Sequence, residues 1–306
     1  MTVVFFPSDM NWFYAKLALA ITEGLREEGH AAEAVPVHDI AAYYDADADH
    51  ALIVNPAECV ESAARVGARD QFLSRLRNYR HRVIVNYDSL RSGWFLRQLK
   101  FAESLFTDIV DIGVVPQAES RYVGLRYIWI PEAMWVRPPG GSPLLWTADR
   151  PLPWAVIGHI NSDRAALVDC LVRSLQPDGF VYLPSLRPFG DNSGLNETQI
   201  YAVLARTNLY VWNSHHHHPY HEGLRAIQAV SAGAIPAKID PLHADQFSDV
   251  PWVYPSVDAL VRAQRQRGLP ALFDDAHSYL SRFPSLGQSL ATALNLGAPS
   301  SAVSVA

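Results

Sequence analysis

Two short stretches carry the means to hold an anion. In Glu222-Gly223-Leu224-Arg225, a glycine and an arginine open a helical pattern that runs to Ala232. A helix N-terminus offers unpaired backbone N–H groups and a partial positive charge. Gly223 lets backbone approach a ligand closely, and Arg225 adds a fixed cation with a forked donor set. In Ile157-Gly158-His159-Ile160-Asn161-Ser162-Asp163-Arg164, Gly158 clears space after a strand and Arg164 brings a second cation to a helix start. Asp163 is the expected cap of that helix. Singly, each stretch reads as an ordinary helix start with a solvated arginine. Their joint spacing favours an anion-binding site over that reading.

Other residues offer different chemistry. His215, His216, His217, His218 and His221 form an internal histidine run. Such a run invites a metal reading, with Glu222 as a carboxylate partner. Four adjacent imidazoles cannot share one face, so contact of His218 or His221 with a bound ligand ranks first. A solvated loop ranks second and a metal third. Asp9 and Asp88 each follow a strand, where a carboxylate can act as a general base. Asp9 reads equally as a helix cap together with Ser8. Trp12, Phe13 and Tyr14 can stack on a ring or pack as core. Cys59 and Cys170 stand alone in apolar surroundings and read as small buried hydrophobes rather than nucleophiles or a metal pair.

The elements that position these residues alternate. Val3–Phe6, Ala34–Val37, Ala51–Asn55, Arg82–Asn86, Ile109–Val115 and Tyr127–Ile130 read as strands. Helical patterns run to Glu28, across 61–80 and across 92–105, and Gly29 stops the first. Prolines and glycines crowd residues 138–153, the best linker in the chain. Beyond it come strands at 154–158, 179–183, 209–213, 234–237 and 252–254, with helices at 163–175, 197–205, 222–232 and 256–267. The expectation is two doubly wound Rossmann-like domains, 1–137 and 154–295, with a frayed tail at 296–306. Ligands of such sheets bind at the carboxyl ends of strands, and the cleft between the halves is the natural site.

Composition narrows the class. The 306 residues are 49% hydrophobic and 18% charged, which is globular rather than disordered. No apolar run approaches the roughly 20 residues of a membrane helix. The start lacks the marks of a signal peptide, so a cytoplasmic location is expected. The net charge of −6 argues against a dedicated nucleic-acid-binding protein. Arg65, Arg69, Arg75, Arg77, Arg80 and Arg82 nevertheless crowd one segment. That cluster can attract a polyanion or form a solvated helix face, and the latter is favoured.

The second half resembles the donor domain of GT-B glycosyltransferases, in particular the spore-maturation-protein-like (CgeB-like) group. The segments 157–164, 222–236 and Tyr254-Pro255-Ser256-Val257-Asp258-Ala259-Leu260 carry the likeness through their order and spacing. More loosely, Leu25-Arg26-Glu27-Glu28-Gly29-His30 and Ile128-Trp129-Ile130-Pro131-Glu132-Ala133 resemble parts of the first domain. The resemblance implies transfer of a hexose or pentose from a UDP- or GDP-sugar to an acceptor hydroxyl, without a metal or other cofactor. It implies donor contacts from Gly158, His159, Asn161 and Arg164 on one loop. Asn213, His218, His221, Glu222, Gly223, Leu224, Arg225 and Gln228 would supply the rest. Asp9 would be the base, with Asp88 as runner-up, and Asn11, Trp12, Arg75 and Arg77 would meet the acceptor. That acceptor is a glycan, a small molecule, a protein or a hydroxylated DNA base reached through the Arg65–Arg82 cluster. Many retaining enzymes of the fold carry two glutamates where this chain has Tyr220 and Gln228. Gln228 still offers hydrogen bonds to a hydroxyl, without charge. A non-catalytic nucleotide-sugar-binding protein and a His-rich metal-binding protein are the alternatives.

Overall fold

The computed structural model describes residues 1–9, 12–40, 43, 48–93, 95–96, 105–113, 125–132, 146, 150–185, 194–213 and 219–296. The chain divides into two compact units, 1–132 with 284–306, and 133–283.

The first unit is built on β1 (Thr2–Phe6), β2 (Ala32–Pro36), β3 (His50–Val54), β4 (His81–Asn86), β5 (Asp108–Gly113) and β6 (Arg126–Pro131). They pair in parallel in the order β2-β1-β3-β4-β5-β6. Both faces are covered, so β1 is buried at every residue and reads as a continuous apolar run rather than an alternating one. On one face α1 (Trp12–Glu27) buries Leu17, Ala18, Ile21 and Leu25, the stripe expected of an amphipathic helix. On the other, α2 (Pro56–Arg65) and α3 (Arg69–Leu76) bring Cys59, Val60, Phe72 and Leu76 against Phe5, Ile53 and Ile84. The single helix expected over 61–80 is thus two. Gly67, at φ +72°, breaks the run where a residue with a Cβ is disfavoured.

The second unit carries β7 (Leu152–Ile157), β8 (Phe180–Tyr182), β9 (Thr207–Asn213), β10 (Ile235–Ile239) and β11 (Val253–Tyr254), again parallel, in the order β11-β10-β9-β7-β8. Its helices are α4 (Ser162–Ser174), α5 (Glu197–Leu204), α6 (Gly223–Ser231) and α7 (Val257–Ser281), the last interrupted at Gly268. The final helix α8 (Leu286–Ala293), expected with the second half, packs on α1 of the first unit. The contact is glycine on glycine: a Cβ on Gly287 would collide with the Gly24 carbonyl. Most of the proposed linker at 138–153 falls outside the described residues, and its last two residues belong to β7; most of the helix expected at 92–105 also falls outside them.

The two sheets share one topology. In each, the first strand pairs with its successor on one side and with the third strand on the other. The strand order therefore reverses between β1 and β3 and between β7 and β9, and crevices open at the carboxyl ends there.

Candidate functional site

In the second unit the crevice between β7 and β9 is occupied by two arginines. β7 ends at Gly158, and the chain turns through His159 and Ile160 into α4. Asn161, rather than Asp163, is the N-cap: its side chain accepts from the Arg164 backbone N–H at 2.8 Å. The Arg164 side chain folds back, and Nη1 donates to the His159 carbonyl at 2.7 Å. Gly158 makes room for this, since a Cβ there would stand 2.7 Å from Nη1. Arg164 is 4% exposed and, among the described residues, forms no ion pair. Burial and the nearby charge of Arg225 lower its pKa, against the pull of Glu222 and Tyr210.

Arg225 sits in the first turn of α6. Its Nη1 donates to the Ile157 carbonyl at 2.8 Å and to the Tyr210 hydroxyl at 2.6 Å, and its Nε pairs with Glu222 at 3.1 Å. Burial opposes its charge, but Tyr210 and Glu222 together outweigh that and hold its pKa above the ordinary value. One buried carboxylate thus stands beside two guanidiniums. The Ala155–Tyr210 register, continued, sets Asn213 beside Gly158. Asn213 Oδ1 is buried and has no partner among the described residues. Asn213 and Asp163 also wall a cavity of about 660 Å³ with Leu167, Ile239, Leu242 and Val257.

Behind α6 lies a support the sequence did not suggest. Lys238, wholly buried on β10, donates from Nζ to the Tyr220 carbonyl at 2.6 Å and to Asp240 at 2.7 Å. Burial raises the Asp240 pKa, but Lys238 and the backbone N–H of His243 outweigh it and leave it lowered. This pair pins the chain just before Glu222. His221, expected to touch a ligand, is instead a core residue. It is 5% exposed, its Nε2 accepts from Trp252 Nε1 at 2.5 Å, and its ring meets Trp212 and Phe247 edge-on. Burial, then Lys238, push its pKa well down, so it is neutral. Gly223 and Gln228 are buried and Leu224 is half-buried, while His159 is exposed. His218 and the rest of the histidine run lie outside the described residues. Among those described, no three metal-ligating side chains converge.

In the first unit the carboxyl ends of β1, β3 and β4 gather polar groups. Asp9 accepts from Ser62 Oγ at 2.6 Å and from Arg65 Nη1 at 3.2 Å, one bond at each oxygen. It is tied to α2. Asp88 Oδ1 accepts from the Ser89 N–H at 2.6 Å. Asn86 Nδ2 holds that turn by donating to the Asp88 carbonyl and to Asp111, both at 2.7 Å. Glu58 and Tyr14 are neighbours here. Burial, then Glu58, raise the Tyr14 pKa well above its usual value. Phe13 packs on Tyr87, with ring centroids 5.4 Å apart. Asn11 and the Trp12 side chain lie outside the described residues.

The arginine cluster does not form one strip. Arg65 serves Asp9 at the carboxyl edge. Arg75 donates to the Tyr43 carbonyl, and Arg82 to the carbonyls of Tyr79 and Leu105. Arg80 lies at the opposite, amino end of the sheet, and Arg77 is exposed.

Comparison places this architecture among solved folds. One structure is that of the DNA-modifying enzyme β-glucosyltransferase, determined in the presence and absence of the substrate uridine diphosphoglucose. It matches with a TM-score of 0.55 at 10% identity, covering 96% of this chain and 100% of that one. The chain has the GT-B type of fold, with two Rossmann-like parallel sheets. Its sequence matches no family profile and no curated protein.

Within that fold, six residues of the site were not anticipated: Asn55, Glu58, Ser62, Tyr210, Lys238 and Asp240. One sequence signal was available. Asn55-Pro56 follows a strand directly, and Asn55 takes φ 57° as α2 begins. Glu58, Ser62, Tyr210 and Lys238 sit at buried positions of helices and strands, Asp240 directly follows β10, and all become visible only through their partners. Among the described residues, no helix is long and apolar enough to cross a membrane.

Proposed function

We propose that the chain transfers a sugar from a nucleotide diphosphate donor to an acceptor hydroxyl, and that the β7–β9 crevice holds the donor diphosphate. One observation carries this reading. Arg164 is a buried guanidinium that forms no ion pair among the described residues and stands beside a second guanidinium, Arg225. The two guanidiniums share the carboxylate of Glu222, so net positive charge remains, which is costly to bury and which a dianionic ligand relieves. The start of α6 adds the partial positive charge of a helix N-terminus. The same groups stabilise the leaving diphosphate as negative charge develops on it, without requiring a metal. The adjoining cavity, with Asn213 at its wall, offers space for an uncharged part of the donor.

For the base we assign Asp9 first and Asp88 second, the carboxylates that follow β1 and β4. A UDP-hexose is the first donor to try, and a hydroxylated base in DNA the first acceptor, since the structural neighbour is a DNA-modifying enzyme that takes uridine diphosphoglucose. The tie to the spore-maturation-protein-like group rests on segments 157–164, 222–236 and 254–260. The free thiols, Cys59 buried and Cys170 exposed, fit a cytoplasmic protein.

The test is a thermal-shift panel of UDP- and GDP-sugars, followed by transfer of labelled sugar to hydroxymethylated DNA, glycans and small alcohols. A donor at a hundred times its Kd stabilises the folded state by about 2.7 kcal/mol. If no nucleotide sugar raises the melting temperature, the reading fails.

A further inference from the structure

The first unit has a second basin at the opposite ends of its strands. It measures about 840 Å³ and is lined by the first residues of β1, β3, β4, β5 and β6. His50 and His81 are paired residues of β3 and β4, and their rings stack with centroids 4.6 Å apart and planes 12° apart. Arg80 and His30 line the same basin. Two carboxylates face these groups. Asp108 is committed on both oxygens, to Arg126 Nε at 2.5 Å and to Thr107 Oγ1 at 2.6 Å. Asp49 is left to balance Arg80. The fixed charges of the basin therefore cancel, and each imidazole that protonates adds a positive charge.

We propose that this basin binds a small phosphate-type oxyanion, taken up together with protons on His50 and His81. Two stacked imidazolium rings repel each other at this distance, and an oxyanion between them and Arg80 removes that repulsion. Burial, then His81, lower the His50 pKa, with Asp49 and Asp108 opposing. A bound anion reverses the balance. A transition metal is the poorer fit, since no three ligating side chains converge among the described residues. The site is independent of the donor crevice, which belongs to the other unit.

Calorimetric titration with inorganic tripolyphosphate, in two buffers of different ionisation heat, counts the protons taken up. Near neutral pH the affinity should rise about tenfold for each unit the pH falls, per coupled proton, as linkage requires. The event should persist in Arg225→Ala, weaken with its pH slope intact in Arg80→Ala, and lose that slope in His50→Gln/His81→Gln. Melting curves report whether each variant folds. If the double variant does not fold, the proton count of the parent protein and the exposed-site variant Arg80→Ala decide the matter. Absence of binding at pH 6 overturns the proposal, as does binding without proton uptake. Binding that is lost in Arg225→Ala yet unchanged in the histidine variant belongs to the donor crevice and also overturns it.

Discussion

Replacing Gly158 by alanine asks whether the space beneath Arg164 is what holds its guanidinium over the β7–β9 crevice. The backbone tolerates the change, because Gly158 does not occupy the left-handed region. The side chain does not. The new methyl would stand 2.7 Å from Nη1 and 2.9 Å from Cζ of a residue that is 4% exposed. The guanidinium must retreat by several tenths of an ångström, and its 2.7 Å bond to the His159 carbonyl is the first contact to go. A hydrogen bond to a charged group contributes about 1.5–3 kcal/mol, so stability should fall by about 2 kcal/mol. If the same displacement is felt by a bound diphosphate, its affinity should fall about thirtyfold. Urea unfolding measures the first effect and calorimetric titration with inorganic diphosphate the second. A variant that unfolds and binds like the parent protein would mean that Gly158 does not set the position of Arg164.

Arg225→Ala should cost about 3 kcal/mol, because it removes the part-buried Arg225–Glu222 ion pair; Arg225→Lys should recover part of the stability but little donor binding, since one ammonium cannot replace the fork, and equal binding by both would count against the crevice. Acid should destabilise the second unit through His221. Its folded pKa lies below the unfolded value of about 6.5, so its contribution is present above that pH and is lost by up to about 1.4 kcal/mol per unit as pH falls. Urea unfolding at pH 7.5, 6.5 and 5.5 reads the slope, which should flatten in His221→Phe; an unchanged slope assigns the acid sensitivity elsewhere. Gly287→Ala should cost about 1–3 kcal/mol by forcing α8 off α1, and a melting curve identical to the parent's would show that this contact yields freely.

Much of the architecture was legible because local chemistry and global fold agree. Strands buried on both faces read as apolar runs, and Gly29 and Gly233 end helices at φ 82° and 74°, as a residue without a Cβ can. The helix start at Gly223 and the arginines behind two turns were visible for the same reason. What was hidden depends on partners far away in sequence. Lys238 occupies a buried strand slot where an ammonium looks misplaced until Asp240 and the Tyr220 carbonyl are seen around it. His221 reads as a ligand contact, yet the Trp252 indole captures its nitrogen from 31 residues away. The arginine cluster reads as one surface, but the strand-and-turn geometry distributes it to opposite edges of a sheet. The return of α8 to α1 leaves no trace in composition, because two small residues meeting across 263 positions look like any other glycines.

That return has a consequence for how the molecule comes into being. The second unit is an insertion within the first, bounded by residues 133 and 283. On the ribosome the first sheet emerges early, with the α8-facing surface of α1 still uncovered. The inserted unit is synthesised completely before Gly287 reaches Gly24. The half of the protein that begins first is therefore finished last, and a newly made chain carries one closed unit and one waiting for its final helix.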